Sequence, residues 1–261
     1  MNRSQRRLPD VGGFLRETAT AIRRDGGAGL SVPARAVYHK LLQQGSRISS
    51  PGRSIYEADW DVLVVLDACR YDLFAAAVSA PDTDFGFVDR GSLTATRSVE
   101  SATRLWMRRT FGPEVEGVEQ THYVVGSPWS SLQLDESWFA SLDPVWQDAW
   151  DDYHGTLLPE TVTNRALAAS RTVDFDAGER LLVHYMQPHC PFIDNPDIAT
   201  PKAADGFTDA AERDVWARLQ AGEVSLDEVQ DGYRANLDRA LAEVERLLHG
   251  IDSERVIITS D

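Results

Sequence analysis

Lysine, cysteine and methionine are scarce in this 261-residue sequence, and each shortage narrows what the chain can be. Two cysteines, Cys69 and Cys190, are too few for a disulfide framework. Both sit in apolar or motif-like stretches, so a reducing compartment and a core held by packing are expected. No stretch approaches the roughly 18 consecutive apolar residues that cross a bilayer, and the basic amino-terminal stretch lacks the apolar segment of a signal peptide. The expected location is therefore cytoplasmic, with no transmembrane segment. Lys40 and Lys202 are the only lysines among 26 basic residues, which face 41 acidic ones for a net charge of −15. So many carboxylates repel a phosphate backbone, which argues against nucleic acid as a partner. Such a surface is best tolerated where salt screens its self-repulsion, and a halophilic protein is the expectation, an ordinary acidic protein the alternative. Repeats and low-complexity tracts are also missing.

What is present has the rhythm of an α/β domain. Residues 1–54 hold short helical patterns broken by Gly26-Gly27, Pro33 and Ser49-Ser50-Pro51-Gly52, and read as a helical extension and linker. Within them, the arginine-rich stretch 14–24 reads as a solvated amphipathic helix, with contact to an acidic lipid surface as the alternative. Residues 55–261 then form the main domain. Its apolar runs Val62–Leu66, Arg180–Met186 and Arg255–Ser260 are of the kind that fill strands buried on both faces. Helical spacing marks 101–111, 160–170 and 227–249, the last with Gly250 as its stop. Strands alternating with helices imply a three-layer sandwich around a mostly parallel sheet. In such sheets chemistry gathers at the carboxyl ends of the strands, and those ends carry Asp67, the Gln187-Pro188-His189 segment and Asp261.

Taken singly, an aspartate ending a strand is usually a turn or cap residue, and a Pro-His pair is usually a turn. Their order carries more. The segment VVLDACRYD (64–72), the segment LLVHYMQPHCPF (181–192), and the helix with Tyr233 and Asp238 leading into ITSD (258–261) resemble the sulfatase-like hydrolases and transferases of the alkaline phosphatase superfamily. Gln187 stands where that family more often has Asp. The resemblance covers about residues 59–261, with the middle weakest. It implies an alkaline phosphatase-like fold, incomplete at its carboxyl end: the family continues past the second aspartate with a ligating His, so this chain reads as cut within its site.

The resemblance further implies a divalent metal ion (Mn, Zn, Mg or Ca) held by Asp67, Thr103 and Asp261, and an anionic ester as substrate. The stretch 91–107 (GSLTATRSVESATRLWM), where the nucleophile is expected, has no formylglycine precursor of the C/S-x-P/A-x-R kind, which disfavours sulfate-ester hydrolysis. A plain hydroxyl at a helix start remains, where backbone N–H groups attract an anion. Thr103 is chosen as the nucleophile by similarity to the phosphoglycerol and phosphoethanolamine transferase branch, with Ser101 as runner-up and Ser98 and Thr96 as competitors. Helix initiation alone is the plain reading of Thr103. His189 resembles the histidine that faces substrate and acts on the leaving oxygen. Arg70, Arg104 and His184 are placed as substrate-binding residues, with surface ion pairing for the arginines and core packing for His184 as alternatives. Trp129, Trp146 and Trp150, in a stretch read as loop-rich, line the substrate pocket, with core or lid packing as an equal alternative. Three functions follow: phosphoester hydrolysis or transfer through a covalent threonine intermediate, a non-catalytic sulfatase-like domain, and sulfuric ester hydrolysis.

Overall fold

The apolar runs at 62–66, 180–186 and 255–260 form adjacent strands at one side of a single sheet. The computed structural model describes residues 52–80, 85, 87–88, 92–198 and 215–261. The unit that carries the sheet spans Gly52–Asp261. Residues up to Pro51, including the 14–24 helix read from sequence, lie outside the described residues. In chain order the elements are β1 (Val62–Asp67), α1 (Tyr71–Ser79), α2 (Thr103–Thr110), β2 (Thr121–Val125), α3 (Ser130–Gln133), β3 (Ser141–Pro144), α4 (Trp146–Ala149), α5 (Pro159–Ala169), β4 (Arg180–Pro188), α6 (Val215–Ala221), α7 (Leu226–His249) and β5 (Val256–Thr259), joined by short 3-10 turns. The sheet order is β3-β2-β4-β1-β5, and every pairing in it is parallel. This is an α/β sandwich with two strands, β2 and β3, beyond the three that the apolar runs mark. No helix among the described residues is long and apolar enough to cross a membrane.

Alternation along the strands feeds two cores. Val62, Val64 and Leu66 of β1 and Leu181, Val183 and Tyr185 of β4 pack under α5 and α7. Leu63 and Val65 of β1 and Leu182 of β4 face the other way, against Trp106 and Met107 of α2, Phe111 just after it and Tyr123 of β2. A strand buried on both faces needs no polar side, which is why these runs look continuous in the sequence.

Arginine forks and carboxylates tie the layers. Arg165 of α5 grips both oxygens of Asp143 on edge strand β3 at 2.6 and 2.8 Å, and Arg239 of α7 reaches Glu160 of α5 at 2.7 Å. At the amino edge of the sheet, His122 bridges Ser141 at 2.9 Å and Glu179 at 3.0 Å, joining the starts of β2, β3 and β4. Such bidentate geometry suits guanidinium and not ammonium, consistent with a chain that uses Arg in place of Lys.

Helix α7 begins with a capping box, in which Ser225 and Glu228 each accept from the other's backbone N–H. Gly250 stops it, as the sequence indicates, but in a right-handed conformation (φ −95°) and not the left-handed one usual for such a glycine. What calls for glycine there is packing: a Cβ would fall 2.4 Å from Leu167 Cδ2. Gly232, buried in mid-helix, is constrained in the same way, since its Cβ would meet Phe192 Cδ2 at 2.5 Å. Gly232→Ala gains about 1 kcal/mol of helix preference, but displacing the Phe192 ring costs about 1–3 kcal/mol. We expect a net loss, read as a lower urea midpoint at unchanged slope. A raised midpoint would mean that the ring yields freely.

Candidate metal centre

Parallel pairing aligns Val65 with His184, and the register slips just beyond, so that Asp67 sits opposite Pro188. This brings the end of β1 over the end of β4, while β5 pairs on the far side of β1 and delivers Asp261. Asp67, His184 and Asp261 each offer a ligand atom, and these atoms lie within 4.8 Å of one another. His184 Nε2 stands 3.9 Å from Asp67 Oδ2. That is beyond a hydrogen bond and within the span of two metal–ligand bonds of about 2.0–2.2 Å. Two buried polar atoms in the cluster, His184 Nε2 and Asp261 Oδ2, have no hydrogen-bond partner. Carboxylates this close repel one another unless a cation lies between them, and buried polar atoms are normally paired. The residues present therefore fit a metal ion.

The far side of each ligand is fixed. His184 Nδ1 meets Tyr123 Oη at 2.8 Å, and the Trp106 ring stands edge-on to the imidazole. Burial pushes the His184 pKa down to about 4, against the opposing pull of Asp261, so the ring is neutral. Burial likewise holds the Tyr123 phenol well above its ordinary value, so its proton stays on. Asp261 Oδ1 accepts from the N–H of Ala68 at 2.9 Å. Ala68 has a left-handed backbone (φ 57°), unusual for a residue with a Cβ. What holds it there is Tyr233 of α7, whose hydroxyl donates to the Ala68 carbonyl at 3.2 Å and accepts from the Arg70 N–H at 2.9 Å.

Thr103 is the first residue of α2, whose preceding cap residue, Ala102, provides no side-chain cap. Its Oγ1 donates to Asp67 Oδ1 at 3.3 Å. A hydroxyl, two carboxylates, an imidazole and the open N–H groups of a helix start thus converge. Of the competing hydroxyls, Thr96 donates to the Thr94 carbonyl, Ser98 accepts from the Glu100 N–H, and Ser101 is exposed. His189 follows β4, half-buried, with Nδ1 hydrogen-bonded to the Cys190 carbonyl at 2.5 Å. Desolvation opposes a charged His189 ring, but its hydrogen bonds to Cys190 and the nearby Asp67 carboxylate outweigh that, and its pKa is pushed up to about 10. Asn236 of α7, buried, holds this turn by accepting from the Ile193 N–H and donating to the His189 and Pro191 carbonyls at 2.9, 3.1 and 3.0 Å.

The two candidate arginines make contacts of their own. Arg70 spends its exposed guanidinium on Asp72 at 2.8 Å, and Arg104 lies over the Trp129 ring at 5.8 Å. Trp146 donates to Ser130 Oγ at 3.1 Å, and Trp150 packs against the main core. Tyr123 and Asn236 are residues that the sequence did not single out, and His184, expected to bind substrate, lies instead among the candidate metal ligands. The available signal was parity: His184 shares the face of Leu182, towards Tyr123, but only the pairing of β2 with β4 makes them neighbours.

No protein-family model, curated protein or solved structure matches the chain. The site is therefore read from its own geometry. Gln187, where the resembled family more often has Asp, is wholly buried, and its amide donates to the Leu157 carbonyl at 2.9 Å. A carboxylate there would face an acceptor.

Two expectations follow. Gln187→Glu sets a buried charge against that carbonyl, so unfolding free energy at pH 7 should fall by about 1–3 kcal/mol or more, with partial recovery at acid pH as the carboxyl protonates. For His184, the folded-state pKa of about 4 lies below the unfolded value of about 6.5. The unfolded chain takes the proton first, so metal-free protein should lose stability as pH falls from about 6.5 towards 4, by up to ~1.4 kcal/mol per pH unit from this group. Denaturation series at several pH values should show a shallower slope in His184→Asn.

Proposed function

We propose a metal-dependent hydrolase or transferase that acts on phosphate esters through a covalent threonine intermediate, on a sulfatase-like fold of the alkaline phosphatase superfamily. The observation that carries the reading is the contact of Thr103 Oγ1 with Asp67 Oδ1 at 3.3 Å, at the uncapped start of α2. It is supported by the motif order, which sets Asp67, His189 and Asp261 at or just past the carboxyl ends of β1, β4 and β5, the edge where parallel sheets carry chemistry.

Asp67, His184 and Asp261 would hold the divalent ion beside Thr103. Such an ion supplies positive charge that makes a threonine alkoxide accessible near neutral pH and attracts an anionic ester. The chain's own groups account for the remaining work. Thr103 Oγ1 gives its proton to Asp67 Oδ1 and forms a bond to phosphorus as the ester P–O bond breaks. The N–H groups of Thr103 and Arg104 at the start of α2 bind non-bridging oxygens as charge builds on them. His189, oriented by its Nδ1 bond to the Cys190 carbonyl, presents Nε2–H to the leaving oxygen and protonates it. In the second half His189 takes a proton from water, or from an acceptor alcohol, as that oxygen attacks phosphorus. The P–Oγ bond then breaks and Thr103 recovers its proton from Asp67. Water makes the enzyme a hydrolase and an alcohol makes it a transferase.

Thr103→Ala should cut turnover of chromogenic phosphate mono- and diesters by at least 10³-fold in high salt with Mn or Zn, with circular dichroism unchanged. Brief acid quench of the wild type should trap one phosphoryl group on the peptide carrying Thr103, as seen by mass spectrometry. Metal uptake without turnover, in both wild type and variant, would instead identify a non-catalytic binding domain.

A further inference from the structure

We infer that His184 binds the metal through Nε2, with Tyr123 as its positioning residue, and that this imidazole makes the centre select a transition-metal ion over Mg²⁺ or Ca²⁺. The inference rests on the reading that the cluster binds a divalent cation, and it reaches beyond the carboxylate and hydroxyl set that the sequence motifs imply.

His184 is a fully buried side chain with its two nitrogens in different situations. Nδ1 is 2.8 Å from Tyr123 Oη, while Nε2 has no partner and faces Asp67 Oδ2 across 3.9 Å. A histidine kept only for packing would not normally leave a buried nitrogen unpaired. One kept for an ion pair with Asp67 would close to hydrogen-bond distance and take a proton, yet the gap remains open. Asp261 Oδ2 is the second unpaired buried atom of the same cluster, so an acceptor and an imidazole nitrogen are turned on one point.

The ring cannot readily change its aim. Trp106 stands edge-on at 5.7 Å, and the Tyr123 ring lies nearly parallel to it, with centroids 6.3 Å apart. If Nδ1 carries the proton and donates it to Tyr123 Oη, Nε2 presents a lone pair to the cluster. That is the arrangement in which a ligating imidazole gives its other N–H to a fixed acceptor, which sets its tautomer. Tyr123 belongs to β2 and His184 to β4, and both strand positions are held by the parallel ladder. Oxygen-only sites suit Mg²⁺ and Ca²⁺, whereas a neutral imidazole among carboxylates favours Zn²⁺, Mn²⁺, Co²⁺ or Fe²⁺.

The test uses the 261-residue chain in high-salt buffer, titrated calorimetrically with Co²⁺, Zn²⁺, Mg²⁺ and Ca²⁺. Co²⁺ and Zn²⁺ should bind at least 10-fold more tightly than Mg²⁺ and Ca²⁺. The Co²⁺-loaded protein should give a paramagnetically shifted, exchangeable imidazole N–H proton resonance that is absent from His184→Asn. Tyr123→Phe, which removes one oxygen, should weaken Co²⁺ binding by about 10–100-fold while retaining the native circular dichroism spectrum. If His184→Asn does not fold, Tyr123→Phe and the wild-type metal preference decide. Equal affinity for Co²⁺ and Mg²⁺, or a Tyr123→Phe variant that binds Co²⁺ like the wild type, would overturn the inference and leave a centre made of carboxylates. Failure of the wild type to take up any of the four ions would overturn the metal-centre reading itself.

Discussion

The parallel pairing of β1 with β4 is the contact on which the rest depends. It aligns Val62 to Leu66 with Leu181 to Tyr185 one for one and then slips, so Asp67 lies across from Pro188. The aligned part closes both cores. The slip frees the residues after Tyr185 from the ladder's alternation, and within it Gln187 turns its amide to the Leu157 carbonyl. A one-residue error in this register would exchange the faces of β4 and carry His184 away from Tyr123. Hydrophobic register and chemical register are therefore the same choice.

Helix α7 acts as the second organiser. Its apolar stripe of Leu237, Ala240, Leu241, Val244 and Leu247 is buried against the sheet, while Tyr233 and Asn236, three positions apart, reach the turns after β1 and β4. One helix face thus holds both the strained Ala68 turn and the turn carrying His189. Each turn is fixed by a side chain that makes two or three hydrogen bonds from a rigid element, the kind of support that keeps an unfavourable backbone in place.

Much of this was legible in the sequence, and the reasons it stopped are physical. Strands β1 and β4 announce themselves because a strand buried on two faces has to be apolar throughout, while β5, a half-buried edge strand, shows only through its short aliphatic run. Helices α2, α5 and α7 fall within or close to their periodic stretches. β2 begins with Thr121 and His122, whose polar groups are used in the network at the amino edge. β3 is a four-residue edge strand, Ser-Leu-Asp-Pro, with no pattern to read. Asp67, Thr103 and Asp261 could be proposed from motif order alone. The aim of His184 could not, because an imidazole in a strand looks the same in sequence whether it packs or ligates, and the residue that fixes it sits 61 positions away.

The same distances bear on how the chain acquires its centre. Asp67 and His184 lie in β1 and β4 and Asp261 just past β5, three strands separated by whole α/β crossovers, and no two of them belong to a local turn or hairpin. Contacts of such long sequence separation form late, after the entropy of closing the intervening chain has been spent. A chain growing from its amino end would hold the aspartate of β1 ready long before the strand that brings Asp261 exists. Selectivity at the centre thus becomes a property of the finished sheet, and an ion that arrives early meets only isolated, weakly binding side chains.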